Sequence, residues 1–197
     1  MEPYPLALQQ WQSEAGCAEL LRLWNMRQRD TIVHDLVEGF PLHRTIIDLG
    51  CGSGYVVRQL PKFDRYIGID LSPYLLAVAR AEHAADSRVR FVERDFLGGA
   101  TYRRALDVLL LIDVNRHYPD PLAMTTLVLE TWPARGAVIS TLHGPQEQEL
   151  INGKIVATQA LDQAQLEWGE VLRAVELELG GGLSVRYTAI ALGRSEK

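Results

Sequence analysis

The sequence predicts an α/β protein: a doubly wound sheet of seven strands, mostly parallel, closed by an antiparallel hairpin at the C-terminus. Three observations carry this. Strand-like apolar runs alternate with helical stretches from residue 45 onward. Those runs are nearly continuous in apolar residues, as in ALDVLLLID (105–113), the pattern of strands covered on both faces. The last two runs, VLRAVELEL (171–179) and LSVRYTAIALG (183–193), alternate instead and are separated by Gly180, Gly181 and Gly182. They pair as a hairpin, so at least one terminal strand is antiparallel.

Each element follows in order. Residues 14–38 read as one amphipathic helix, with Leu20, Leu21, Trp24, Ile32 and Leu36 on its apolar stripe; Gly39 and Pro41 end it. TIIDL (45–49) is the first strand, and YVVRQL (55–60) begins a helix that stops at Pro61. RYIGID (65–70) is the second strand. Ser72 as N-cap and Pro73 as first helical residue then open a helix through PYLLAVARAEHAA. RVRFVE (88–93) and residues 105–113 are the third and fourth strands, PLAMTTLVLETW (121–132) is a helix, and GAVISTL (136–142) is the fifth strand. ALDQAQLEW (160–168) is helical, with Gly169 as its left-handed stop. The expected organisation is a single compact unit, with residues 45–197 as its core and residues 1–44 as a helical cap.

A chain of 197 residues suits one domain, and 47% hydrophobic with 23% charged residues is ordinary for a globular protein. No apolar run approaches the roughly 18 residues of a membrane span, and MEPYPLALQQWQSEAG lacks the basic-then-apolar order of a secretory leader. Cys17 and Cys51 suit a reducing cytoplasm and make no metal-ligand spacing. A net charge of −5 disfavours nucleic acid as a partner. The densest basic cluster, Arg22, Arg27 and Arg29, is flanked by Glu19 and Asp30. The expectation is thus a cytoplasmic protein with no membrane contact and no metal; no oligomeric state is specified.

The most informative stretch is IIDLGCGSGY (46–55), a strand that runs into Gly50, Gly52 and Gly54. Such a turn places a ligand at the carboxyl end of the first strand, where open α/β sheets bind nucleotides. A dinucleotide fingerprint needs a third glycine where this chain has Tyr55, and a P-loop needs a lysine where none occurs before Lys62. S-adenosylmethionine carries no phosphate. It offers an ammonium, a ribose diol and an adenine, and so calls for acids and for close backbone approach. Asp48, Asp70 and Asp95 stand at three successive strand ends: one for the ammonium side, one for the ribose hydroxyls and one for the adenine amino group. For each acid taken alone, capping its own loop is a plainer role; their order along the chain is what favours the ligand.

These residues resemble the class I S-adenosylmethionine-dependent methyltransferases through DLGCGSG (48–54), GIDLS (68–72), VRFVERDF (89–96) and DVLLLIDV (107–114). With the hairpin, the likeness covers about residues 45–193. It implies a Rossmann-like fold and S-adenosylmethionine as cofactor, with S-adenosylhomocysteine as product. It further implies that Gly50, Gly52 and Gly54 line the methionine part, supported by Asp48. Asp70 would hold the ribose and Leu71 would pack on the adenine, which Asp95 and Phe96 would flank. The chain around Ile112 and Asp113 would offer a carbonyl to the methionine amino group.

Methyl transfer from a sulfonium needs positioning above all, and a general base only if the acceptor arrives protonated. The loops after the fourth and fifth strands, DVNRHYPDP (113–121) and LHGPQEQE (142–149), carry the candidates. His117 and His143 can take a proton near neutral pH, against a plainer reading as loop hydrogen-bonding residues. Asn115, Arg116 and Tyr118 are candidate substrate contacts, and Arg116 suits a carboxylate. No N-P-P-[YF] or D-P-P-[YF] run follows the fourth strand, which argues against methylation of adenine in DNA. Tyr4 and Trp11 are lid candidates able to meet a sulfonium by cation–π contact, whereas Trp24 falls on the apolar stripe. The short connections leave room for a small-molecule substrate, accepting at O, N or S. An intramolecular displacement on the cofactor that releases methylthioadenosine is a second reading, and a non-catalytic cofactor-binding subunit a third.

Overall fold

In the computed structural model, residues 1–3, 13, 15, 27–41, 44–98, 106–150 and 153–192 are described. Helix α1 (Arg27–Glu38) leads into β1 (Thr45–Leu49), a 3₁₀ turn (Tyr55–Gln59), β2 (Arg65–Asp70), α2 (Pro73–Glu82) and β3 (Val89–Glu93). Then come β4 (Leu106–Leu111), a 3₁₀ turn (Asn115–His117), α3 (Pro121–Thr131) and β5 (Ala134–Gly144). The chain closes with β6 (Gln148–Leu150), β7 (Gly153–Ala157), α4 (Thr158–Trp168), β8 (Glu170–Gly180) and β9 (Leu183–Ala191).

The parallel sheet runs β3-β2-β1-β4-β5, with β9 antiparallel to β5 and β8 antiparallel to β9. This is the predicted sheet. Two further strands extend it to nine among the described residues. β7 pairs parallel with β5 only at His143 and Gly144, and β6 pairs antiparallel with β7. Because β9 already occupies one edge of β5 from Gly136 to His143, β7 takes the opposite edge, which β4 uses up to Ile139. The segment 142–149, read from the sequence as a plain loop, therefore contains the end of β5 and the start of a small hairpin. A three-residue strand carries no readable period, and the available signal was the turn-favouring dipeptide Asn152-Gly153.

Successive residues of each inner strand enter opposite cores. Ile47, Leu49, Ile69, Leu109, Leu111 and Ile139 pack under α3 and α4 with Trp132 and Leu161. Ile46, Tyr66, Val108, Leu110 and Val138 pack with Val33, Leu36, Val37 and Phe40 of α1 and its exit, and with Leu76 of α2. The part of the expected cap that is described, α1, is thus a cover of the sheet itself. Ser72 caps α2 as predicted, accepting the Leu75 N–H at 3.2 Å, and Asp120 does the same for α3. Gly169 ends α4, but with φ 150° and ψ −168° rather than in the left-handed helical well expected. A Cβ there would lie 2.5 Å from the Ala191 carbonyl oxygen, so contact with β9 explains this glycine. No helix among the described residues is long and apolar enough to cross a membrane.

Candidate functional site

The predicted glycine loop is clasped to the end of β2. The N–H groups of Gly50 and Cys51 both donate to the Ile69 carbonyl, at 2.8 and 3.1 Å. Gly52 N–H donates to Asp70 Oδ2 at 2.8 Å, and Ser72 N–H donates to Asp70 Oδ1 at 2.8 Å. One carboxylate thus fixes the loop on one side and the start of α2 on the other. Burial pushes the Asp70 carboxyl up from its ordinary value, against the lowering effect of the backbone donors at Ser72, Gly52 and Leu71. Three backbone donors leave part of the carboxylate's roughly four lone-pair sites open. That remaining capacity suits a ribose hydroxyl.

The loop has space where its glycines are. Gly50, Gly52 and Gly54 have φ of 78°, 53° and 69°. A Cβ on Gly50 would meet Val114 Cγ2 at 2.7 Å, and one on Gly54 would meet Phe91 Cζ at 2.6 Å. The chain can turn this tightly under its ligand only because these positions carry hydrogen.

Asp48 is 2% exposed and accepts the Tyr66 hydroxyl at 2.6 Å. The sequence reading missed Tyr66, whose only signal was a tyrosine in an otherwise aliphatic strand. Burial, followed by the Asp48 charge, pushes the Tyr66 hydroxyl far above its usual range, so it stays a donor. Tyr66→Phe removes one buried donor to a carboxylate. The expected loss is about 1–3 kcal/mol, read as a fall in Tm of roughly 2–10 °C for a chain of this size.

Asp95 is exposed and accepts the Leu97 N–H at 2.8 Å, leaving its other oxygen open to solvent or ligand. Leu71 is half-buried beside it in the fold, at the exit of β2. Phe96 is buried at 3% exposure; its carbonyl accepts the Trp132 indole N–H at 3.2 Å and its ring meets Tyr118 edge-on, with centroids 6.3 Å apart. Tyr118 is 1% exposed, and burial followed by the charges of Asp95 and Asp70 raises its hydroxyl. The Phe96–Tyr118 pair is therefore a floor under the two acids, within the core.

At the end of β4, Ile112 packs into the core beside α1 and Asp113 turns the chain with φ 58°. Asp113 is the one non-glycine residue with positive φ among the described residues, a conformation that costs about 1–3 kcal/mol unless its surroundings impose it. Ser140 imposes it: Asp113 N–H donates to Ser140 Oγ at 2.6 Å, and Ser140 Oγ donates to Asp113 Oδ1 at 3.1 Å. This turn ends β4 at Leu111, two residues before the predicted end.

Beyond it, Asn115 is 1% exposed and its amide donates to Thr125 Oγ1 and Thr141 Oγ1, each at 3.2 Å. It ties the turn to α3 and β5. His117 is 4% exposed in the same turn. His143 is also 4% exposed, and both its ring nitrogens are engaged: Nδ1 with Thr158 Oγ1 at 3.0 Å and Nε2 with Glu176 Oε2 at 3.1 Å. Glu176 in turn accepts from Arg186 Nε at 2.7 Å, and Arg186 also pairs with Asp162. His143 thus bridges β5, α4 and β8. The 115–117 turn that carries His117 packs against β5, which carries His143, and against β7 and α3. Tyr4 and Trp11 lie outside the described residues, and no group of three or more His, Cys, Asp or Glu able to hold a metal occurs among those described.

A doubly wound sheet with a glycine loop after β1, an acid after β2 and a reversed C-terminal strand defines the class I S-adenosylmethionine-dependent methyltransferase fold. Residues 46–130 match the family described as methyltransferase domain. The fold is that of the class I S-adenosylmethionine-dependent methyltransferases, and the matched segment holds the glycine loop, Asp70 and Asp95. The structure is similar to that of the N-methyltransferase NodS from Bradyrhizobium japonicum WM9 in complex with S-adenosylhomocysteine, at 14% identity and TM-score 0.69, over 94% of this chain and 97% of that one. It is similar to magnesium protoporphyrin IX methyltransferase (ChlM) from Synechocystis PCC 6803 with bound S-adenosylmethionine, at 16% identity and TM-score 0.65, over 95% and 92%. A third similar structure is a methyltransferase from Leishmania major, at 13% identity and TM-score 0.73, over 94% and 82%. No curated protein sequence matches.

Proposed function

We propose that this enzyme methylates a small molecule at oxygen, nitrogen or sulfur. The observation that carries this is the closeness of the two elements beside the glycine loop. The 115–117 turn and the β6–β7 hairpin meet so tightly that a Cβ on Gly153 would lie 3.0 Å from the Arg116 carbonyl oxygen. Connections among the described elements are short, and none of them forms a separate substrate unit among the described residues. The two neighbours named for a reaction or substrate, an N-methyltransferase and a magnesium protoporphyrin IX methyltransferase, act in keeping with this reading.

When bound, S-adenosylmethionine supplies a methyl group on a sulfonium. The rest is positioning by the chain. Asp70 accepts the ribose hydroxyls, Asp95 accepts from the adenine amino group with Leu71 against the ring, and Gly50, Gly52 and Gly54 leave room for the methionine part. Asp48 holds the loop from beneath through Tyr66. The Asp113 turn presents the Ile112–Asp113 backbone toward the methionine amino group. His117 is the base where the acceptor arrives protonated, because it shares a turn with the candidate substrate contacts Asn115 and Arg116.

The test is transfer of labelled methyl from S-adenosylmethionine in the presence of a fractionated cell extract. Label is expected in the low-mass fraction, with one S-adenosylhomocysteine formed per methyl. Label recovered in protein or nucleic acid would overturn the small-molecule reading. Methylthioadenosine released without any extract would replace transfer by an intramolecular displacement.

A further inference from the structure

Among the described residues, Arg116 carries the one buried side-chain polar atom without a hydrogen-bond partner. Its Nε is buried and makes no hydrogen bond. Four other arginines are paired with carboxylates: Arg44 with Asp64, Arg58 with Glu82, Arg88 with Asp86, and Arg186 with Asp162 and Glu176. Arg116 has no carboxylate partner among the described residues. A guanidinium N–H withdrawn from water and left unbonded is costly, so an acceptor brought to it by a ligand gains the most. The position is suited to that. Arg116 stands in the turn after β4, flanked by the buried Asn115 and His117, and its Cγ lies 3.9 Å from where a Cβ on Gly153 would be.

We infer that Arg116 binds a carboxylate on the methyl acceptor, so that the substrate class is a small carboxylic acid bearing the accepting O, N or S elsewhere. The inference rests on the reading of the site as small-molecule methyltransferase. The Nε edge of a guanidinium presents two parallel N–H donors that match the two oxygens of a carboxylate. A phosphate is a poorer fit because a second positive group is lacking. The Lys154 ammonium on β7 is held by Glu147 at 2.8 Å, and the N-terminus of α3 is filled by Asp120, whose carboxylate accepts the Ala123 N–H at 2.9 Å. A single fixed positive charge in a chain of net charge −5 suits a single negative one.

The methionine part of the cofactor also ends in a carboxylate, and the experiment separates the two sources. The full-length chain is saturated with S-adenosylhomocysteine, which is followed by calorimetry, and then titrated with acetate and separately with inorganic phosphate. The Arg116 Nε–H resonance is followed by NMR and assigned by its loss in Arg116→Lys. Acetate is expected to shift that resonance saturably. In Arg116→Gln the acetate-induced shifts of neighbouring backbone amides should require at least about tenfold more acetate, and Arg116→Lys should recover part of this. S-adenosylhomocysteine affinity should stay within about twofold in both variants. A drop of tenfold or more in that affinity would reassign Arg116 to the cofactor carboxylate. No saturable response to acetate, or a stronger one to phosphate, would overturn the carboxylate assignment. Failure of the wild-type chain to bind S-adenosylhomocysteine would instead remove the parent reading.

Discussion

Asp70→Ala is expected to raise the dissociation constant for S-adenosylhomocysteine about 100-fold, and calorimetry will read it directly. The carboxylate joins Gly52 and Ser72 through two bonds of 2.8 Å, so its loss frees two backbone donors as well as the ribose hydroxyls. Hydrogen bonds to a charged group are worth about 1.5–3 kcal/mol each, so losing two accounts for at least two decades of affinity. Asp70→Asn keeps the volume but sets an NH₂ against one of the two N–H donors, and its effect should be intermediate. The same residue sets the acid limb of binding. Burial raises the Asp70 carboxyl, so its proton returns at a higher pH than on a free aspartate. The protonated form loses acceptor capacity. Affinity for S-adenosylhomocysteine should therefore fall as pH drops toward that raised value, with no matching loss on the alkaline side. Asp70→Asn should abolish this limb. Binding within threefold of wild type in Asp70→Ala would remove Asp70 from the ribose role.

Gly54→Ala is expected to cost a large share of the stability for one added carbon. Two effects add. The φ of 69° costs an alanine about 1–2 kcal/mol. The new Cβ would also lie 2.6 Å from Phe91 Cζ and 3.3 Å from Ala79 Cβ, contacts that force the core to shift at about 1–3 kcal/mol. The sum, about 2–5 kcal/mol, is a large share of the 5–15 kcal/mol typical of a folded domain. Gly181→Ala separates the two effects, since Gly181 has φ 62° with nothing within 4 Å of its Cβ position. It should lose only the backbone part, about 1–2 kcal/mol. Equal losses for both variants in urea denaturation would show that the contact with Phe91 relaxes freely.

Much of the fold was legible because its signals are local and repeated. Continuous apolar strands separated by capped helices leave few alternatives to a covered parallel sheet, and the Gly180–Gly182 run announces the hairpin. The small β6–β7 hairpin was not legible, because its strands of three and five residues hold together by pairing with β5 and β7 rather than by any pattern of their own. At the site, the glycines and Asp70 could be placed because backbone geometry demands those residue types at those positions. The partners that decide what His143, Asn115 and Asp113 do could not. Glu176, Thr141 and Ser140 lie 26 to 33 residues away in sequence and meet them only through sheet register. That is why His143 reads from sequence as a loop base and in the fold as a bridge between elements. Arg116 shows the reverse case: a solvated arginine is the ordinary expectation, and only the burial of its Nε distinguishes it.

The contact between Gly50 and Val114 has a consequence for how ligands communicate. Val114 opens the turn that carries Asn115, Arg116 and His117, and it lies against the hydrogen face of Gly50 in the glycine loop. Any coupling between occupancy of the loop and occupancy of the turn has this packed contact as its direct route. By thermodynamic reciprocity, whatever factor the cofactor applies to acceptor affinity, the acceptor returns to the cofactor.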